Sequence, residues 1–375
     1  MRSLFLFLFI FFIYSPLFAI NTNVDNAIVI DWNTNEILFE KNADIHTPPA
    51  SMTKIMTVYA VFDRLSNTGL SLTDKCTVSK KAFKIGGSSM FLEIDEKVSL
   101  NDLLRGIIIQ SGNDSSITIA ECLSGTEEDF AILMNHYAEK IGMKNTNFSN
   151  SSGWPDENNY STVRDIALLS NAIIRDFPDL YNYFNEKEFT YNNIKQPNRN
   201  SLLRYVPGSD GLKTGYTKQS GWGIAGSAIR DNRRITLVIN GANSNRQRIN
   251  ESEKLINWAF RETTQKKILS KNQKIKEVDV WLGSKQTINL LSQNDLVISI
   301  AFDQLKTLKS YIEYEKPISA PIKKGEILGK LSIIINGKPN IEAPLIADKN
   351  VHNINPLFKV FAAIKYLIFG TSLNE

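Results

Sequence analysis

The chain has 375 residues, a length typical of two or three domains. Its net charge of +4 is mild, and it has no basic block with interleaved aromatic residues, so we do not expect it to bind nucleic acid. Its three histidines and two cysteines do not fall at metal-ligand spacing, and we expect neither a metal nor another cofactor.

Residues 1–19 have the pattern of an export signal. Arg2 gives a positive start, residues 4–14 form an apolar run, and Ala19 is a small residue after which cleavage is expected. The alternative is an uncleaved anchor helix, although the apolar run is short for a full membrane span. On either interpretation the remainder of the chain is predicted to be exported.

Residues 20–265 are predicted to form one mixed domain. The elements expected in chain order are a hairpin over 27–41, a helix over 54–67, a helix capped by Ser99, helices over 126–143 and 161–177, strands over 221–230 and 233–242, and a helix over 248–262. Strands at both ends with helices between them predict an α+β domain whose sheet joins remote parts of the chain.

The character of the chain changes at about residue 270. Short alternating segments separated by turn residues predict a small all-β domain over 270–352. We find no catalytic cluster in this segment.

The segment 355–370 is predicted to be an amphipathic helix. Its apolar residues recur at i, i+3, i+4 and i+7, with Lys359 on the opposite face and Lys365 on the flank. The helix is too short for a comfortable span, and we expect it to lie in a membrane surface. The alternative is a helix that packs back on the protein.

Cys76 and Cys122 are the two cysteines of the chain. An exported location permits a disulfide between them. Two cysteines do not make a disulfide-rich scaffold, however, and we expect two buried thiols.

The stretch PPASMTKIMT places Ser51 and Lys54 three residues apart at the start of a predicted helix. Residues i and i+3 share a helix face, so the hydroxyl and the amine can approach each other. A lysine can remove the proton of a serine nucleophile if burial or a nearby positive charge lowers the lysine pKa. Alone, the pair is a weak signal, because Ser-x-x-Lys is common by chance.

Two further motifs follow: SGN at 111–113 and KTG at 213–215. Each by itself is typical of a turn or of the entry to a strand. Together with Ser-x-x-Lys, in this order, they form the signature of class A β-lactamases and penicillin-binding proteins.

On these motifs the chain resembles the low-molecular-weight penicillin-binding proteins, the serine D-alanyl-D-alanine carboxypeptidases of bacterial cell walls. The resemblance also covers PASMTKIMT, SMFLEIDEKVSLNDLLRGIIIQSGNDSS, DFAILMNHYAEKIGMKNTNFSNSSG, YSTVRDIALL and DGLKTGYTKQSGW. It implies a β-lactamase/transpeptidase-like catalytic domain, with helices on an antiparallel sheet, followed by an all-β domain and a membrane-associating helix. It also implies a periplasmic protein attached peripherally to the inner membrane.

The resemblance implies an activity and three catalytic residues. The enzyme would remove the terminal D-alanine from peptidoglycan stem pentapeptides, in cell wall synthesis and remodelling, and would be acylated by β-lactam antibiotics. Ser51 would attack the carbonyl of the D-Ala–D-Ala bond, and Lys54 would be its general base. Ser111 would relay a proton to the leaving amine.

Substrate-binding residues are implied in the same way; they are Asn113, Lys213, Thr214, Gly215, Tyr216 and Arg248. Asn113 would hold the substrate backbone, while Lys213 and Thr214 would bind the substrate carboxylate. The charge of Lys213 would also help to keep Lys54 neutral.

Two of these positions leave alternatives open. The backbone N–H groups of Ser51 and Tyr216 would form an oxyanion hole. Some relatives carry histidine at the position of Tyr216, which puts any role of that side chain in deacylation in doubt. Arg248 either binds the substrate carboxylate or is a solvated surface residue.

Two other functions compete with the carboxypeptidase. A serine β-lactamase needs a fast deacylation base, usually a glutamate in an E-x-x-L-N loop, and no such string lies between Ser111 and Lys213. A non-catalytic penicillin-binding or scaffold protein is the other alternative. The intact set of Ser51, Lys54, Ser111 and Lys213 argues against it.

Overall fold

The computed structural model describes residues 20–335, 339–355 and 360. The predicted export signal and all of the predicted amphipathic helix except residues 355 and 360 lie outside the described residues. Among the residues described, no helix combines the length and the apolar character needed to cross a bilayer.

The first part of the chain, up to residue 262, contains both strands and helices. Its strands are β1 (Asn26–Asp31), β2 (Glu36–Lys41), β3 (Lys75–Thr77), β4 (Lys97–Ser99), β5 (Glu188–Tyr191), β6 (Ile194–Pro197), β7 (Ser209–Thr217), β8 (Gly221–Arg230) and β9 (Arg233–Ala242). Its helices are α1 (Lys54–Asn67), α2 (Lys80–Lys84), α3 (Leu100–Arg105), α4 (Asn113–Ser124), α5 (Glu127–Ile141), α6 (Val163–Asp176), α7 (Leu202–Tyr205) and α8 (Asn245–Glu262).

A five-stranded antiparallel sheet with the order β2-β1-β9-β8-β7 forms the centre of this domain. The β1–β2 hairpin and the β8–β9 hairpin are confirmed, and β1 pairs with β9, so the sheet joins remote segments as predicted. Side chains alternate across β1: Ala27 and Val29 belong to the core beside α8, whereas Ile28 and Ile30 belong to the core beside α1 and α6. Helices therefore cover both faces of the sheet.

The predicted helices agree with α1, α5 and α6 to within two residues at each end. Ser99 is an N-cap, since its hydroxyl accepts a hydrogen bond from the Asp102 N–H at 3.1 Å. Helix α8 begins at Asn245, three residues before its predicted start, because Ser244 caps it by accepting from the Gln247 N–H.

The prediction of two free thiols was wrong. Cys76 and Cys122 form a disulfide that ties β3 to α4 across 46 residues of sequence. These elements pack against each other, which brings the two Cα atoms to 5.5 Å. Because this proximity is tertiary, cysteine count alone does not reveal it.

The second part of the chain is the predicted all-β domain. Its elements are β10 (Thr263–Leu269), β11 (Lys274–Trp281), β12 (Thr287–Ser292), β13 (Leu296–Ala301), α9 (Phe302–Leu305), β14 (Lys309–Tyr314), β15 (Ile318–Ser319), β16 (Ile327–Ile334) and β17 (Ile341–Ala347). Six strands pair in the order β14-β16-β17-β12-β11-β15. Strand β10 pairs with β13, so strand pairing within this domain starts before residue 270.

Candidate active site

The Ser51–Lys54 pair lies where a single 3₁₀ turn (Ala50–Thr53) runs into α1. Lys54 Nζ lies 3.2 Å from Ser51 Oγ, which confirms the approach expected from their spacing. Ala50, just before the serine, has a φ of 50°, a left-handed conformation that is costly for a residue with a Cβ. The backbone is therefore strained at the residue directly before Ser51.

The other two partners of the Lys54 amine can only accept hydrogen bonds. They are Asn113 Oδ1 at 2.8 Å and the Ser152 carbonyl oxygen at 2.5 Å. The Asn113 amide is oriented by its Nδ2, which donates to the Gly86 carbonyl at 3.0 Å. A neutral amine has two hydrogens and one lone pair. In this neutral form, donation to the two acceptors leaves the lone pair for the Ser51 hydroxyl, whereas in the ammonium form the third hydrogen is donated to Ser51 Oγ.

Burial makes Lys54 a base at neutral pH. Its side chain is 0% exposed, and this desolvation lowers the pKa of Lys54 to about 7. The positive charge of Arg199 lowers this pKa further, whereas Asp114 and Glu127 oppose the shift. Burial, followed by the charge of Lys54, also holds the pKa of Lys213 well below its usual range.

The SGN motif lies at a break between two helices, as predicted. A π-helical turn (Gly106–Gln110) ends at Ser111, whose φ of 68° is left-handed, and α4 then begins at Asn113. Ser111 is 2% exposed, yet it lines the same cleft as Ser51. Because the chain reverses here, the Ser111 hydroxyl lies at the cleft and the Asn113 amide lies beside Lys54.

The KTG motif lies on β7, which packs against the 3₁₀ turn that carries the serine. A Cβ at Gly215 would lie 3.0 Å from the Pro49 carbonyl oxygen, so a glycine permits this close approach. Thr214 lines the cleft, whereas Lys213 is 2% exposed and lies behind the cleft wall. Lys213 can carry its charge beside the site when Lys54 is neutral, because the charge of Lys54 is one of the causes that lower the pKa of Lys213.

Arg248 is a buried residue of α8 and is 5% exposed, which excludes the solvated-surface interpretation. Its guanidinium carbon lies 5.2 Å from the centre of the Trp222 ring, and that ring contacts the Tyr216 ring in a tilted arrangement with the ring centres 4.3 Å apart. Burial lowers the pKa of Arg248 to about 10, so the group stays cationic at pH 7. Its Nε is buried without a hydrogen-bond partner among the described residues.

Sequence reasoning missed two contributors to the site. Arg199 lines the cleft and donates to Ser88 Oγ at 2.6 Å, but it stands in a polar loop without a motif. Ser152 contributes a backbone carbonyl, so its side-chain type gives no signal. The segment SNSSG, noted above only for family resemblance, contains that residue.

The cleft has two parts, which meet at Ser51, Ser88 and Tyr216. The smaller part, of about 410 Å³, is rich in hydrogen-bond donors, which come from Ser111, Arg199, Thr214, Asn245 and Arg248. The larger part, of about 440 Å³, is mixed in character, and its lining includes Gly87, Gly153, Trp154, Pro155, Asp156 and Lys218. A cationic pocket on one side of the serine suits a carboxylate, and the other side suits an extended chain.

The helix-covered antiparallel sheet, together with a serine beside a lysine base, defines an active-site-serine acyl-transfer enzyme. The chain belongs to the D-alanyl-D-alanine carboxypeptidase family, whose model matches residues 15–244. A second model, the C-terminal domain of penicillin-binding protein 5, matches residues 264–353.

Individual relatives agree with this membership. The chain is 42% identical over 332 residues to D-alanyl-D-alanine carboxypeptidase DacC of Escherichia coli, covering 86% of this chain and 83% of the relative. Penicillin-binding protein 5 of Haemophilus influenzae superposes with a TM-score of 0.78 at 36% identity, covering 89% and 99% of the two chains. Carboxypeptidase DacD of Francisella tularensis gives a TM-score of 0.81 at 29% identity, covering 89% and 95%.

Proposed function

We propose that this enzyme removes the terminal D-alanine from peptidoglycan stem pentapeptides through an acyl-enzyme on Ser51. The observation that carries the proposal is the hydrogen-bonding of Lys54: its amine lies 3.2 Å from Ser51 Oγ, and its two other partners are acceptors only. Family membership supports the same hydrolytic activity.

In the acylation step, Lys54 takes the Ser51 proton as Oγ attacks the carbonyl of the penultimate D-alanine. The backbone N–H groups of Ser51 and Tyr216 donate to the resulting oxyanion. Ser111 relays the proton to the amine of the terminal D-alanine, the C–N bond breaks, and free D-alanine leaves. Water then attacks the ester and restores the serine hydroxyl.

The donor-rich part of the cleft would bind the free carboxylate of the terminal D-alanine. Thr214 offers a hydroxyl, Arg248 a buried guanidinium with an unpaired Nε, and Arg199 a second cation. The ammonium group of Lys213, which lies behind the cleft wall, would stabilise the same carboxylate through its positive charge. Asn113 is assigned to holding Lys54, in addition to any contact with the substrate backbone.

β-Lactam antibiotics would acylate the same serine. A β-lactam carries a reactive amide and a carboxylate, which match the nucleophile and the cationic pocket. One solved relative, penicillin-binding protein D2 of Listeria monocytogenes, has a structure in its ampicillin-bound form, with a TM-score of 0.60 and 29% identity. We place this binding at Ser51.

Export and membrane attachment complete the proposal. The positive start and apolar run of residues 1–19 support export to the periplasm, and the apolar face of 355–370 supports peripheral attachment to the inner membrane. The attachment is tested by deleting Pro356 onward from the signal-processed protein. Unchanged membrane association after that deletion would refute it.

The decisive experiment is labelling with penicillin followed by peptide mapping. We expect the label on Ser51, and label on another residue would overturn the nucleophile assignment. D-alanine release from a pentapeptide is measured beside penicillin turnover. Release with slow turnover supports a carboxypeptidase, whereas rapid turnover without release indicates a β-lactamase.

A further inference from the structure

The loop between α5 and α6 reaches both the base and the substrate side of the cleft. The carbonyl oxygen of Ser152 accepts the 2.5 Å hydrogen bond from Lys54, and Ser152 is 1% exposed. Two residues later, Trp154 is 43% exposed and lines the larger part of the cleft. One turn therefore connects the buried amine to a surface that a bound peptide would contact.

The side chain of Asn150 organises this turn. Its Oδ1 accepts from three successive backbone N–H groups, those of Ser152 at 3.2 Å, Gly153 at 2.7 Å and Trp154 at 3.0 Å. Its Nδ2 donates to the Trp154 carbonyl oxygen at 3.0 Å. No helix or strand supplies partners to these groups, so the amide does so.

The turn is pressed against the segment that carries the nucleophile. Gly153 has a φ of 77°, and a Cβ placed there would lie 1.8 Å from the Ala50 carbonyl oxygen. A shift of the turn would therefore disturb the residue next to Ser51 as well as the Ser152 carbonyl. The position of this turn sets the geometry of both reacting groups.

We propose that Asn150 is a positioning residue for Lys54, and that Trp154 is a specificity-determining residue for the stem peptide. Asn150 holds the Ser152 carbonyl against the amine and keeps water away from it. Trp154 offers its ring to the part of the peptide that precedes D-Ala–D-Ala. The inference rests on the proposed function, because it requires a peptide that extends along the larger part of the cleft.

The first test measures penicillin acylation rates against pH for Asn150→Ala and Asn150→Asp. Asn150→Ala should slow acylation about tenfold or more, because the base is misplaced. Its acid limb should move to higher pH, because water that reaches Lys54 weakens the desolvation that lowers the lysine pKa. Asn150→Asp keeps an acceptor for the three N–H groups but loses the donor to the Trp154 carbonyl oxygen, so its plateau rate should fall less than that of Asn150→Ala. Its carboxylate should move the acid limb to higher pH.

Asn158→Ala is the matched control, since Asn158 is an exposed asparagine of the same loop. It should show the rate and the pH profile of the wild type. An Asn150→Ala protein with that same rate and profile would overturn the positioning role. If circular dichroism shows that Asn150→Ala does not fold, the Asn150→Asp variant is used instead. An acid limb of its rate–pH profile at the wild-type position would then refute the inference.

The second test compares Trp154→Ala on a stem pentapeptide and on an N-acetylated D-Ala–D-Ala dipeptide. We expect kcat/KM to fall about tenfold for the pentapeptide alone, because the dipeptide does not reach the ring. Tyr205→Ala, which removes another exposed aromatic side chain, is the control. An equal loss of kcat/KM on both substrates, or no loss on either, would refute the role of Trp154 in specificity. A wild type that releases no D-alanine would instead refute the proposed function.

Discussion

The catalytic domain and the β domain differ in the polar groups that they bury. The catalytic domain buries ionisable side chains, among them Lys54, Asp114, Glu127, Lys213 and Arg248. The buried polar residues described from residue 263 onward are hydroxyl residues alone: Thr263, Ser292, Ser299 and Ser332. Burying a charge is costly, whereas a hydroxyl that is hydrogen-bonded is tolerated at little cost.

The comparison shows that buried ionisable groups provide the reactive side chains of the catalytic domain, whereas aliphatic packing stabilises the β domain. In the catalytic domain, the free energy spent on burying Lys54 lowers its pKa and creates a base. In the β domain, a core of aliphatic side chains such as Ile288, Leu290 and Leu345 stabilises the fold without such a cost. Substitutions should therefore affect activity and stability differently in the two domains.

The largest effect is expected for Ser51→Ala. Without the hydroxyl no acyl-enzyme forms, and D-alanine release should fall about 10⁴-fold or more. Folding should be unchanged, because one oxygen is removed from a cleft-lining side chain. The measurement is D-alanine release, with circular dichroism as the control. Full release from this variant would show that the catalytic assignment is wrong.

Lys54→Met tests how the buried Lys54 amine affects both the acylation rate and the free energy of unfolding. Acylation should fall about 10²- to 10⁴-fold, since the general base is lost. The free energy of unfolding at pH 7 should change little, because two effects oppose each other. Replacing a buried amine by an apolar chain of similar volume is favourable, whereas leaving Asn113 Oδ1 and the Ser152 carbonyl oxygen without a donor costs about 1–3 kcal/mol each.

The pH dependence of that stability difference has a definite sign. The pKa of Lys54 is about 7 in the folded protein and near the ordinary lysine value of 10.5 when unfolded. Between these values the unfolded chain binds more protons, so the stability of the wild type rises with pH. The stability of Lys54→Met relative to the wild type should therefore fall from pH 7 to pH 10.5, as measured by denaturant titration. A stability difference that does not change with pH would contradict the assigned pKa.

Leu290→Ala is the counterpart in the β domain. Leu290 is 0% exposed, and its truncation should lower the free energy of unfolding of that domain by about 2–5 kcal/mol. The penicillin acylation rate should be unchanged below the unfolding transition, because the site lies in the other domain. A reduced acylation rate in the folded variant would show that the β domain supports the site directly.

The smallest effect is the pH dependence of acylation itself. Because the neutral form of Lys54 is the base, the rate should rise with pH and level off above about pH 7. Below that pH it should fall about tenfold per unit, which a series of penicillin acylation rates will reveal. A rate that does not change between pH 5 and pH 7 would exclude Lys54 as the titrating base.

Local patterns in the sequence predicted much of the fold and the core of the site. The hairpins, helix α1 and the Ser99 cap depend on residues within a few positions of one another, where apolar periodicity and turn chemistry act directly. The Ser51–Lys54 approach is local in the same sense, since one helical turn separates the two residues. The SGN and KTG motifs were recognisable because short strings carry the family signature.

Other features depended on contacts between segments far apart in the chain. The Cys76–Cys122 disulfide, the charge of Arg199 near Lys54 and the burial of Arg248 each need two elements to pack together, and no local pattern encodes that packing. The sequence by itself thus determined which groups are proposed to perform the chemistry. The tertiary structure decided their protonation and neighbours, because desolvation and electrostatic fields arise only when remote segments exclude water together.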